Sequence, residues 1–185
     1  MTLRNRAFRN LGGVVALCAL AAACSHPPPP APSPQPSPST TTPAETQLER
    51  QTRLDFEAAE KAYRSFRAEY DRLAAAGGTD RATPEMSETA AGPYLEVMTR
   101  FLAQTKAAGK RQQGSVRIAY VRYASYSPEE LRLDVCEDGR KVRNVAKDGH
   151  VSAGVAAKVT LYVRPIKGRW KVWNGDDLRV ASCAA

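Results

Sequence analysis

Tyr120, Tyr123 and Tyr126 crowd one apolar-rich stretch together with Arg117 and Arg122. Phenol hydroxyls beside guanidinium groups can donate hydrogen bonds to an anionic or carbonyl ligand if the chain gathers them around a pocket. Asp134 stands two residues before Cys136, and Trp170 opens the last stretch of the chain. A carboxylate aimed into such a pocket would serve as a base. Tyr120, Tyr123, Asp134 and Trp170 are therefore the candidate pocket residues. The competing reading makes the tyrosines core or cross-strand partners and Asp134 a surface partner of Arg132 or Lys158. His150 follows Asp148-Gly149, which predicts an exposed turn position rather than an acid-base role. The sequence carries no glycine-rich phosphate loop, nucleophile elbow, metal-spaced ligand cluster or DNA-binding signature, so it suggests no metal, no cofactor and no nucleic-acid partner.

The cysteines divide by position. Arg4, Arg6 and Arg9 precede a thirteen-residue apolar and glycine run, residues 11–23, which ends on Leu20-Ala21-Ala22-Ala23-Cys24. A bilayer span needs about 20 apolar residues, whereas the run has the length of a signal-peptide core. Small residues directly before a cysteine resemble the lipobox of bacterial lipoproteins, with Ala21 where leucine is commonest. The resemblance implies acylation of Cys24, loss of residues 1–23 and attachment to the membrane through acyl chains on its outer face. Cys18 leaves with the leader, so Cys136 and Cys183 remain as an even pair in an oxidising compartment, and a disulfide between them is expected. Nine of the thirteen prolines fall between Pro27 and Pro43. Residues 24–43 read as the lipidated cysteine and a linker; proline repetition favours extended polyproline II, so at about 3.1 Å per residue the stretch 26–43 reaches on the order of 50 Å.

Residues 44–185 must supply the folded domain. Residues 45–76 hold no glycine or proline, and Phe56, Ala59, Tyr63, Phe66, Tyr70 and Leu73 recur at helical spacing. This stripe reads as core rather than as a ligand box. Glu57 with Lys61, and Glu60 with Arg64, stand at i, i+4 on the other face. Thr83-Pro84 and Pro93 open further helices, the second with Tyr94, Leu95, Met98, Phe101 and Leu102 on one face. "GKRQQG" reads as a basic loop. From Ser115 onward the pattern is β: Leu131, Leu133 and Val135 alternate, as do Val159, Leu161 and Val163, and Trp170 shares a face with Val172. Asp138-Gly139 and Lys147-Asp148-Gly149 supply turns. Helices followed by antiparallel strands predict an α+β layer with the helices on one sheet face.

That order of elements resembles the cone-shaped nuclear transport factor 2-like (SnoaL-like) superfamily. The segments "LDVCEDGRKV", "AKDGHV", "AKVTLYVRP", "GRWKVWN" and the terminal "SC" are similar to a group of small secreted proteins and lipoproteins of actinobacteria. The resemblance implies a long helix and shorter helices packed on a curved antiparallel sheet that encloses a pocket. Some members use the pocket for isomerase, cyclase or dehydratase chemistry; others use the fold for binding or assembly. Fold alone does not choose between these.

The whole chain has a formal charge of +8, and removing the leader's three arginines leaves 24 basic against 19 acidic side chains. This interleaved, mild excess suits a protein beside an anionic envelope surface better than a dedicated nucleic-acid binder. The expectation is a lipid-anchored, non-catalytic binding or assembly module with an envelope protein partner. Its alternatives are a pocket enzyme, a carrier of a small hydrophobic ligand, or an accessory component of an export or conjugation complex.

Overall fold

The computed structural model describes residues 44–184; the expected leader, Cys24 and the linker lie outside the described residues. Pro43–Ala185 forms one compact unit.

The first helix, α1 (Gln47–Ala76), starts at a capping box in which Thr46 Oγ1 accepts from the Glu49 N–H at 3.2 Å and Glu49 accepts from the Thr46 N–H at 2.8 Å. Together these satisfy donors that a helix start leaves open. It ends at Gly77, whose φ of 99° is the left-handed cap that a residue without Cβ adopts cheaply. Phe56, Ala59, Tyr63, Phe66 and Leu73 are buried along one stripe, as their spacing predicts. Glu60 pairs with Arg64 at 2.7 Å, but Glu57 pairs with Arg53 rather than Lys61. The helices α2 (Pro84–Thr89) and α3 (Gly92–Ala107) follow. On α3 Leu102 is fully buried while Phe101, expected on the same face, is 51% exposed.

Seven strands follow: β1 (Arg111–Gln113), β2 (Arg117–Tyr126), β3 (Leu131–Asp138), β4 (Arg143–Val145), β5 (Val151–Ala153), β6 (Ala156–Ile166) and β7 (Arg169–Val180). The main sheet has the order β2-β3-β6-β7, antiparallel throughout. Register irregularities in β2 and at Tyr162/Val163 bend it, as an extra residue in one strand does. Opposed residues share a face, so Leu131, Leu133 and Val135 line up with Val163, Leu161 and Val159 under the helices. Arg132, Asp134, Lys158 and Thr160 take the outer face. This is the expected α+β architecture. The large apolar side chains Phe66, Met86, Leu102, Leu131, Leu133 and Leu161 are fully buried in the core, each contributing about 1.5–3 kcal/mol through burial.

The second sheet, order β1-β4-β5, corrects the reading of "GKRQQG" as a loop. Three-residue strands carry too little alternation to be seen in sequence; β1 is fixed by Gln112, which turns inward and donates to Asp71 of α1 at 3.0 Å. Cys136 is joined to Cys183, with Cα atoms 5.7 Å apart, fastening the segment after β7 over the outer face of β3.

Candidate functional site

A cavity of about 320 Å³ opens between α1, α3 and the concave sheet face. Tyr70, Tyr94 and Met98 form its helical wall, and Glu137, Ala157, Val159, Asn174 and Gly175 its sheet wall. Gly175 matters for shape: a Cβ there would lie 3.3 Å from the Tyr94 ring, so bare backbone lets that ring lie against β7. Val97, Phe101 and Val155 line the cavity and are also 36%, 51% and 41% exposed, which makes them its rim. A wider groove of about 850 Å³ runs along α1 and α2, but Lys61, Glu69, Arg72, Glu85, Glu88 and Arg169 line it and it is open to solvent. The cavity, with apolar walls and a few convergent polar groups, is the better candidate site.

The polar floor beneath the cavity comes from α1, and of it Arg67 and Tyr70 line the cavity itself. Tyr63, Arg67, Tyr70 and Asp71 follow at helical spacing, so they project to one side. Arg67 is buried and its Nη2 donates to Asp71 Oδ1 at 2.6 Å, while Nη1 lies 3.6 Å from Glu137 Oε2. Tyr63 donates to Glu137 Oε1 at 2.5 Å. Asp71 also accepts from Gln112 and from the Val116 N–H, each at 3.0 Å. Burial works against the Arg67 charge, but Glu137 and then Asp71 outweigh it and hold the guanidinium protonated. Its Nε is buried without a hydrogen-bond partner.

The phenols are held as donors. Burial, then Glu137, pushes Tyr63 far above the ordinary phenol range. Burial dominates the upward shifts of Tyr94 and Tyr70 too. A tyrosine that stays protonated donates a hydrogen bond but cannot act as a base near neutrality. Glu137, the one carboxylate in the cavity wall that is also largely buried, is already engaged by Arg67 and Tyr63. The arrangement can therefore orient a ligand through phenol hydroxyls more readily than abstract a proton from it.

The four sequence candidates do not converge here. Tyr120 and Asp134 lie on the outer sheet face, lining a shallow recess with Arg122, Lys158 and Asp176. There Arg122 stacks over the Tyr120 ring at 4.5 Å, Asp134 accepts from Thr160 at 3.1 Å, and Arg132 approaches it at 4.0 Å. The reason is strand alternation: with Leu133 and Val135 inward, Asp134 must point out. Tyr123 faces the helices but at the sheet margin, stacked on Phe56 at 4.3 Å and bonded to Glu60 at 3.3 Å. Trp170 donates to Asp55 at 2.9 Å, and Tyr126 donates to the same carboxylate at 2.8 Å, which locks α1 to both sides of the sheet. His150 is exposed in the β4–β5 turn, its backbone N–H bonded to Asp148.

Arg67, Glu137 and Tyr94 are site residues that residue type and motif do not reveal, though the first two leave a signal in the sequence. Continuing the Leu131-Leu133-Val135 alternation by one step puts Glu137 inside, and Arg67 stands four residues from Tyr63 on the apolar stripe. A charge at a core position on each of two elements implies a buried pair. Among the described residues no group of three His, Cys, Asp or Glu side chains is placed to hold a metal, and no helix is long and apolar enough to cross a membrane.

No family model and no curated protein matches the sequence. Solved structures do match in shape. An NTF2-like protein with a cystatin-like fold from Novosphingobium aromaticivorans is 9% identical, with TM-score 0.45, over 76% of this chain and 94% of that one. A dehydratase candidate of the NTF2-like family from Streptomyces avermitilis is 12% identical, with TM-score 0.45, over 70% of this chain and 99% of that one. The intermembrane space region of the chloroplast protein ARC6 is 14% identical, with TM-score 0.45, over 67% of this chain and 96% of that one. None of these likenesses bears on activity.

Proposed function

We propose that the chain is a membrane-anchored lipoprotein, acylated on Cys24 and displayed on the extracytoplasmic face, whose domain is a non-catalytic binding module. Its cavity seats one small ligand with an apolar body. The observation that carries this reading is the pairing of an apolar wall with charged groups already engaged by one another, Arg67 with Asp71 and Glu137 with Tyr63. Ligand pockets run upward from about 300 Å³, so a cavity of about 320 Å³ holds a compact molecule. Tyr70 and Tyr94 offer hydroxyls to its polar group, and Val97, Phe101 and Val155 cover its exposed end. What speaks against acid-base catalysis is that Glu137 is held by Arg67 and Tyr63 while the phenols are kept protonated.

The test is uptake of N-phenylnaphthylamine, a neutral apolar fluorophore, by the protein lacking residues 1–23. Saturable one-site uptake, lost when Ala157→Phe fills the cavity without changing the far-ultraviolet spectrum, is expected. Uptake that does not saturate, or that survives Ala157→Phe, overturns the cavity reading. The anchor is tested separately by mass spectrometry of the mature N-terminus, where an unmodified Cys24 or cleavage elsewhere refutes it.

A further inference from the structure

The small sheet presents a cationic face that neither the cavity nor the fold uses. Gln112 turns toward α1, so Arg111 and Gln113 leave the other face of the strand, the exposed Arg111 side chain passing the Gly77 cap at the end of α1. Register places Arg111 opposite Val145 and Val145 opposite Val151, with Gln113 opposite Arg143 and Arg143 opposite Ala153. One face therefore carries Arg111, Arg143, Val145 and Val151, of which Val151 is 47% exposed.

Loops add more charge at both ends of the small sheet. A Cβ on Gly109 would lie 3.2 Å from Lys147 Cβ, so the turn leading to Lys110 rests against the β4–β5 turn. Lys141 enters β4 from the other end.

What sets this patch apart is that the segments building it, 109–116 and 139–147, carry five unpaired cations and no acidic residue. Most arginines of α1 are ion-paired, and Arg140, just before the patch, is held by Asp138 at 2.8 Å. Lys110, Arg111, Lys141, Arg143 and Lys147 make no ion pair among the described residues. The nearest acidic residue in sequence, Asp148, caps its own turn by accepting from the His150 N–H.

We infer that this face docks on an anionic phospholipid bilayer, with the five cations over lipid phosphates and Val151 at the head-group boundary. Charge complementarity selects the occupant: a polybasic cluster gains about 1 kcal/mol per Lys or Arg at an anionic lipid surface, or about fivefold in partitioning for each. The exposed valine distinguishes a lipid interface from a purely ionic polymer, because it gains only where there is apolar depth to enter. The inference is independent of the cavity and of acylation.

The experiment uses the protein lacking residues 1–23, with Cys24→Ser, so that no acyl chain contributes. Sedimentation with phosphatidylglycerol-containing vesicles is expected to carry the protein down, and pure phosphatidylcholine vesicles are not. Arg111→Gln/Arg143→Gln/Lys147→Gln is expected to lower partitioning on the order of a hundredfold. Lys61→Gln/Lys167→Gln/Arg169→Gln removes as much charge elsewhere and is expected to change it little. All six side chains are exposed, and a melting curve checks each variant. Equal losses in the two variants, equal binding to both vesicle types, or retention on immobilised polyphosphate with none on vesicles would overturn the inference.

Discussion

Replacing Asp71 by alanine should be the most damaging single change at the polar floor. Its carboxylate accepts from Arg67 at 2.6 Å and from Gln112 and the Val116 N–H at 3.0 Å, joining α1 to β1 and to the link that enters β2. Without it, Val116 loses its acceptor and Arg67 keeps the 3.6 Å approach to Glu137 and its place over the Tyr70 ring at 4.7 Å, with its Nε already unpartnered. Breaking a buried pair from one side costs about 3–5 kcal/mol, because the surviving charge stays desolvated. The contact with Glu137 puts the expectation at the low end, about 3 kcal/mol. In a domain of about 140 residues, 1 kcal/mol moves Tm by about 3–4 °C, so a drop of about 10 °C is expected. Asp71→Asn retains an acceptor and should lose about half as much. Arg67→Met/Asp71→Leu, which removes both charges together, should recover much of the loss. Calorimetry with the disulfide intact measures all three. If Asp71→Ala melts within about 3 °C of the parent, or the double variant melts below it, the three-element junction does not carry the stability assigned to it.

Removing the Cys136–Cys183 bond by double serine substitution opens a 47-residue loop, worth about 4 kcal/mol in the chain-entropy model, and should lower Tm by about 13 °C in a thermal melt. Gly78 and Gly149 both have positive φ, 88° and 84°, yet a Cβ on Gly78 would sit 2.1 Å from the Leu102 carbonyl oxygen and one on Gly149 would meet nothing within 4 Å. Gly149→Ala should therefore cost only about 1 kcal/mol of backbone strain, while Gly78→Ala pries α3 from the end of α1 and costs several times more in urea titration. Arg72, and then Thr83, hold Glu69 below the ordinary carboxylate value of 4.5 against partial burial. A depressed carboxylate contributes stability above its unfolded pKa and loses it as pH falls, so Glu69→Gln should flatten the decline of Tm on acidification below pH 4.5.

The sequence disclosed the elements better than the site. A thirty-residue helix repeats its apolar stripe often enough to be read, and Leu131, Leu133 and Val135 announce the inner face of β3 by simple alternation. Three-residue strands such as β1 offer no repeat, so "GKRQQG" looked like a loop until Gln112 found Asp71 across 41 residues of chain. Residue type marks the pocket candidates, and type does not tell which way a strand residue points. Asp134 misses the inner face by one position, while the same alternation places Glu137 inside. Trp170 and Tyr126 meet on Asp55, a long-range junction that spacing within any one segment does not contain.

Fastening residue 183 to residue 136 also sets how the domain would respond to tension. Pulled from its ends, the chain could pay out through the helices and the first strands, but the 47-residue loop holding β4 to β7 would stay tied off. At about 3.4 Å per residue that withholds about 160 Å of extension until the bond is reduced. A force-extension trace would then read the redox state of the domain as a length.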